Sequence, residues 1–282
     1  MKSNSKKVIT FLILNFTVCS IFYYILCFKG SMYKNQNYVL GLMWVPAVTG
    51  MITQLIYNKN LKGFGWKFGK FKYLTFSYLI PLLSSLMVYT LVWITGMGGI
   101  SIDNFTTRQG SGIFIQFIFF ATVGLILSSI SALGEEIGWR GFLVPELAKK
   151  YSYTKTSLIT SAIWAIYHYP LIIFSNYNNG TSVWFSMIFF TISVTAVSFI
   201  AVWLRLKSGS LWTGVILHAS HNLFIQLFFD VITIDYGKTK YITTEFGAGL
   251  ALIYTIIGIY CWRNSYKLPS LKAYSKANTV QN

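Results

Sequence analysis

Charge is scarce in this chain, and negative charge is scarcest. Charged residues make up 11% of the 282, and the acidic ones number seven: Asp103, Glu135, Glu136, Glu146, Asp230, Asp235 and Glu245. A soluble domain carries about 25% charged residues, so a solvated globule is excluded. Cysteine is also sparse. Cys19, Cys27 and Cys261 lie apart in apolar runs, without metal-site spacing, which excludes a disulfide framework and leaves them as packing residues. Alternating ten-residue segments are missing, which excludes an outer-membrane barrel. There is no internal repeat, and no H-E-x-x-H pair that would make zinc the first choice.

What is present is long apolar runs. Hydrophobic residues make up 54% of the chain. Runs of about 20 apolar residues suit helices that cross a bilayer and satisfy their own backbone groups. The pattern predicts an all-α polytopic bundle of eight spans, near Val8–Phe28, Tyr38–Tyr57, Tyr73–Thr95, Ile113–Leu133, Ser157–Phe174, Val183–Leu206, Leu211–Ile232 and Phe246–Trp262. Three regions follow: N-terminal spans and loops over 1–112, a core over 113–232, and a last span with a basic tail over 233–282.

The net charge of +16 does not point to nucleic acid, because no basic domain carries a nucleic-acid motif. The lysines and arginines sit in loops. With eight spans, seventeen of them fall on one side and five on the other, Arg140 standing apart. Basic residues favour the cytoplasmic side, so both termini are expected there, in a multi-pass cell-membrane protein, with an AT-rich composition suggesting a bacterial plasma membrane. Lys2, Lys6 and Lys7 flank a first span too long for a signal peptide, so it is expected to be retained; Cys19 follows Val18, which makes a poor lipoprotein signal. The stretch Asn58–Lys72, with aromatics among lysines, is expected to be a surface strip or short interfacial helix in contact with lipid.

Ionisable groups inside a membrane are costly and point to function. Glu135 and Glu136 follow the end of the fourth span, while His168, His218 and His221 fall inside later spans. Adjacent helical residues point about 100° apart, so the two glutamates face different directions. Glu136 and Arg140 are four apart, in the favourable order for an ion pair. That leaves Glu135 to face a cavity, where partial burial suits proton transfer. The structural alternative is a pair of carboxylates that both answer Arg140. His168 precedes Pro170, which loosens the helix. His218 and Asn222 share a face and could polarise a carbonyl, hold a metal or join helices. His221, three residues from His218, reads first as a packing or hydrogen-bonding residue. Counting rise along the helices puts Glu135 at the inner boundary and His168 roughly 15 Å deep, a mismatch of about one turn with His218.

The order E-E-x-x-x-R at Glu135, Glu136 and Arg140, a histidine at His168, and H-x-x-x-N at His218 and Asn222 resembles the three motifs of the CPBP family of CAAX-protease and bacteriocin-processing proteins. Trp139-Arg140-Gly141-Phe142 and Gly209-Ser210-Leu211-Trp212 add context. The resemblance covers roughly 134–223, the middle of the core region. It departs at Trp164, where the family usually has phenylalanine. It implies an intramembrane endopeptidase acting on a membrane-associated peptide or protein, with Glu135 as general base, His168 assisting, His218 and Asn222 stabilising an oxyanion, and Glu136 and Arg140 supporting. No cofactor is favoured; if the metal-dependent description of the family holds, Glu135, His168 and His218 would be the zinc ligands. A non-catalytic immunity or scaffold protein is the alternative, and a proton-coupled carrier ranks behind it.

Overall fold

The computed structural model describes residues 2–29, 34–103 and 112–269. Arg108, Lys272 and Lys276 of the charge count lie outside them. Among the described residues, seven helices are long and apolar enough to cross a membrane: α1, within Ser5–Lys29; α2, Gln36–Asn58; α3, Phe71–Ile94; α4, Ile113–Ala148; α5, Tyr153–Phe174; α6, Val183–Ser208; and α7, Trp212–Ile232. An eighth apolar helix, α8, Ala248–Arg263, is shorter. At 1.5 Å per residue it is about 24 Å long. The bundle expected from the sequence is therefore present, with its last member short.

Local signals set the helix ends. Ser152 and Ser182 cap α5 and α6, each hydroxyl accepting the N–H three residues on, from Lys155 and Phe185. Gly209 ends α6 at φ 74°, the left-handed position that glycine takes without a Cβ penalty. Strands β1, Gly98–Ile100, and β2, Thr233–Asp235, pair antiparallel. They join the ends of α3 and α7, two loops that an alternating eight-span path puts on the same side.

α4 departs most from expectation. The fourth span was expected to stop at Leu133, yet the helix continues to Ala148 over 36 residues. Its first half is largely exposed, whereas Gly134–Ala148 is buried throughout. Protein rather than lipid solvates this second half, so it can carry charge and continue as helix. It widens into a π-helical segment over Ile137–Leu143. Glu135 therefore lies in mid-helix rather than at a boundary.

Two glycines bring α4 against α2. A Cβ at Gly134 would lie 2.6 Å from the Met43 carbonyl oxygen, and one at Gly138 2.4 Å from Pro46 Cβ and 2.6 Å from its backbone. This is the small-xxx-small contact of membrane helices, with both glutamates between its two glycines. Gly138→Ala forces the helices apart at a backbone contact. An overpacking cost of about 1–3 kcal/mol is expected, read as a lower unfolding midpoint in detergent.

Of the Asn58–Lys72 segment, Asn58 ends α2 and Phe71 begins α3, and Lys59–Lys70 between them is an irregular strip without helix. Phe64 is buried and stacks on Trp66, while Phe68 and Phe71 remain exposed. Arg205, fully buried on α6, ties the strip down. Its Nη2 donates to the Gly63 carbonyl at 3.1 Å and its Nε to the Arg140 carbonyl at 2.8 Å.

Candidate active site

The described helices enclose a cavity of about 550 Å³ lined by Glu135, Trp164, His168, His218, His221 and Asn222 among others. Three separate helices supply them. α4 contributes Glu135, α5 Trp164 and His168, and α7 the remaining three.

Glu135 lines the cavity and is anchored at one oxygen. The indole N–H groups of Trp139 and Trp164 both donate to its Oε2, at 3.1 and 2.9 Å. Its Oε1 makes no hydrogen bond among the described residues and remains available to the cavity. Glu136 turns the other way, as the 100° step requires. Its Oε1 accepts from Arg140 Nη1 at 2.8 Å and lies 3.1 Å from His218 Nδ1. Glu136 and Arg140 are both almost fully buried. The expected Glu136–Arg140 pair is thus present, with a histidine added to it. Gly214 on α7 leaves the space: a Cβ there would meet Glu136 Oε2 at 2.4 Å.

The histidine rings have defined orientations. His168 Nδ1 lies 2.9 Å from the Trp164 carbonyl oxygen. A carbonyl only accepts, so Nδ1 carries the proton and the neutral ring keeps its lone pair on Nε2. On His218, Nδ1 faces a carboxylate and donates to it. Asn222 lies one turn beyond His218 and also lines the cavity. His221 Nδ1 lies 3.0 Å from Tyr254 Oη on α8, which makes it a hydrogen-bonding residue.

Trp164 is the residue whose role the sequence concealed. Besides holding Glu135, its ring lies under the Arg140 guanidinium at 4.3 Å and contacts the His168 and His218 rings at 6.1 and 5.5 Å. Phenylalanine would keep the ring contacts and lose the N–H. The aromatic position was legible; the donor was visible only as a departure from the family pattern. The Gly134-x-x-x-Gly138 contact went unread, although its spacing could have revealed it.

Toward the β1–β2 end, the cavity reaches Gln226, Asp230 and Glu245. Gln226 Nε2 donates to Glu245 Oε1 at 3.0 Å. Glu245 stands in the loop before α8, and burial pushes its carboxyl up to about 7. Asp230 accepts from Tyr89 Oη, which in turn accepts the Thr244 N–H.

Among the described residues, no three His, Cys, Asp or Glu side chains form a group that could hold a metal ion. Glu135, His168 and His218, the possible zinc ligands, line the cavity without forming such a group.

Residues 116–224 match the family model described as "Type II CAAX prenyl endopeptidase Rce1-like". That range includes all six candidate residues. The chain is also similar to CAAX prenyl protease 2 of Methanococcus maripaludis, at 28% identity over 224 residues, covering 72% of this chain and 80% of the relative. With the helical, multi-pass architecture already seen, these two matches support the resemblance to the CPBP family that the three motifs carry.

Proposed function

We propose that the protein is an intramembrane endopeptidase that hydrolyses a peptide bond in a membrane-associated peptide or protein, with Glu135 activating the water. The observation that carries this is the single cavity in which Glu135, His168, His218 and Asn222 meet. Glu135 Oε2 is anchored by two indoles, so Oε1 takes a proton from water as its oxygen attacks the scissile carbonyl carbon. His168 Nε2, an acceptor, holds the same water. The carbonyl oxygen becomes an oxyanion and accepts from the Asn222 amide and from Nε2–H of His218 in its imidazolium form, whose other nitrogen Glu136 holds. The proton on Glu135 then passes to the leaving nitrogen. The C–N bond breaks, giving a carboxylate and an amine. Glu136 and Arg140 fix His218 and the base of the site, and no step is routed through a metal.

For the substrate, the two matches favour a CAAX-type C-terminus bearing a prenyl group. The site must then hold both a lipid-anchored chain and its peptide. The test uses the full chain in lipid nanodiscs with two peptides, a prenylated CAAX peptide and the same peptide unprenylated, and mass spectrometry of the products. Cleavage of the prenylated peptide supports the proposal. Cleavage of neither, by folded protein, would instead favour a partner-binding role for the cavity.

Trp164→Phe is the sharper probe of the site. It deletes one N–H and keeps the aromatic contacts. Loss of one hydrogen bond to a charged group costs about 1.5–3 kcal/mol, so kcat is expected to fall by at least tenfold while KM stays within about twofold. A variant with unchanged kcat would mean that the indole N–H does not position the base.

A further inference from the structure

His221 lines the same cavity but takes no part in the chemistry above. Its Nδ1 lies 3.0 Å from Tyr254 Oη, with the rings 5.7 Å apart. Tyr254 is almost fully buried on α8 and makes no other hydrogen bond among the described residues. This settles the direction. If Nδ1–H donated to Tyr254, the phenol proton would be buried without an acceptor, a loss of about 1–3 kcal/mol. If Tyr254 donates to Nδ1, the buried phenol proton and the Nδ1 lone pair satisfy each other. The neutral ring then carries its proton on Nε2. That N–H has no acceptor among the described residues.

The position of this donor matters. His221 stands next to Asn222, the candidate oxyanion donor, and one turn beyond His218. Gln226 follows on the same wall. α7 thus presents polar groups at 218, 221, 222 and 226 to a cavity that also carries apolar side chains such as Leu42, Phe190, Val194 and Val197. A peptide bound for hydrolysis cannot leave its own carbonyls unpaired at that depth.

We propose that His221, oriented by Tyr254, donates its Nε2–H to a backbone carbonyl of the bound peptide adjacent to the scissile bond, and so positions the substrate. The ligand class is an extended peptide, recognised through its main chain and not its side chains. The inference rests on the endopeptidase reading for its consequences in turnover, but not for binding itself. The role is made in the ground state as well as the transition state, so its loss raises KM and spares kcat.

The test compares wild type with His221→Leu, His221→Gln and Tyr254→Phe, full length in nanodiscs, on a fluorogenic prenylated CAAX peptide. A net hydrogen bond is worth about 0.5–1.5 kcal/mol, so His221→Leu is expected to raise KM roughly three- to tenfold with kcat within about twofold. His221→Gln keeps a donor and recovers most of the loss. Tyr254→Phe leaves the imidazole free to change tautomer and raises KM by less than His221→Leu. Unchanged KM in folded His221→Leu overturns the proposal, and so does a loss confined to thermal stability. Binding of the same peptide to Glu135→Gln protein, with and without His221→Leu, separates the two readings. If wild type cleaves nothing yet His221→Leu weakens this binding, the endopeptidase reading fails and His221 stands. If wild type cleaves and neither KM nor binding responds, His221 alone fails.

Discussion

Glu135→Gln is expected to abolish peptide hydrolysis while leaving the fold in place. The amide keeps the shape of the side chain and an oxygen that can accept from Trp139 and Trp164, the two indoles at 3.1 and 2.9 Å. The packing of α4 against α5 is therefore preserved. What is lost is the ability to take a proton from water. General base catalysis contributes about 10²- to 10⁴-fold, and His168 Nε2 alone does not replace a carboxylate aimed at the same water. Product formation, followed by mass spectrometry at matched protein abundance, should drop to the detection limit, with the unfolding midpoint within a few degrees of wild type. Cleavage at wild-type rate by this variant would remove Glu135 from the chemistry. A collapse of the folded fraction would recast it as a structural carboxylate.

The second large effect is on stability. Glu136 and Arg140 are each about 1% exposed and joined at 2.8 Å. Removing one partner of a buried pair strands the other charge, at about 3–5 kcal/mol. Arg140→Met leaves the Glu136 carboxylate with His218 alone, while Glu136→Leu leaves a buried guanidinium over Trp164. Either single change should lower the unfolding midpoint sharply and reduce the yield of folded protein. The double variant Glu136→Leu, Arg140→Met removes both charges and should recover much of the stability without recovering activity, since His218 Nδ1 has lost its acceptor. A double variant as unstable as the sum of the singles would mean that the two residues do not act as a pair. Glu136→Gln, which keeps one acceptor for His218, should fall between wild type and Glu136→Leu in both readouts.

The sequence reveals much of the bundle and less of the site. Apolar runs locate α1 to α7, and all their ends but that of α4 to within about a turn or two, because hydropathy responds directly to the lipid that surrounds them. The same signal misplaces the end of α4. Gly134–Ala148 is solvated by protein, and charge in a buried helix resembles a span boundary. Glu136 with Arg140 could be found because an i, i+4 pair is a local feature of one helix. The contacts of Glu135 with Trp164 and of Glu136 with His218 join residues 29 and 82 positions apart. No periodicity encodes such distances; only the order of the three motifs hints that they meet. The bond from His221 to Tyr254 spans two helices outside any motif and could be seen only once the helices were packed.

Trp164 touches Glu135, Arg140, His168 and His218 with one side chain. Substitutions at those four positions are therefore not independent events. Each changes the environment in which the others are judged, and their effects should combine non-additively. For a lineage drifting away from this indole, the accessible mutational path is narrow: another aromatic ring would still face the guanidinium, but the glutamate would need a new donor before tryptophan could be given up. Phenylalanine at 164 would therefore not be a neutral exchange of aromatics, because it withdraws the donor that holds Glu135.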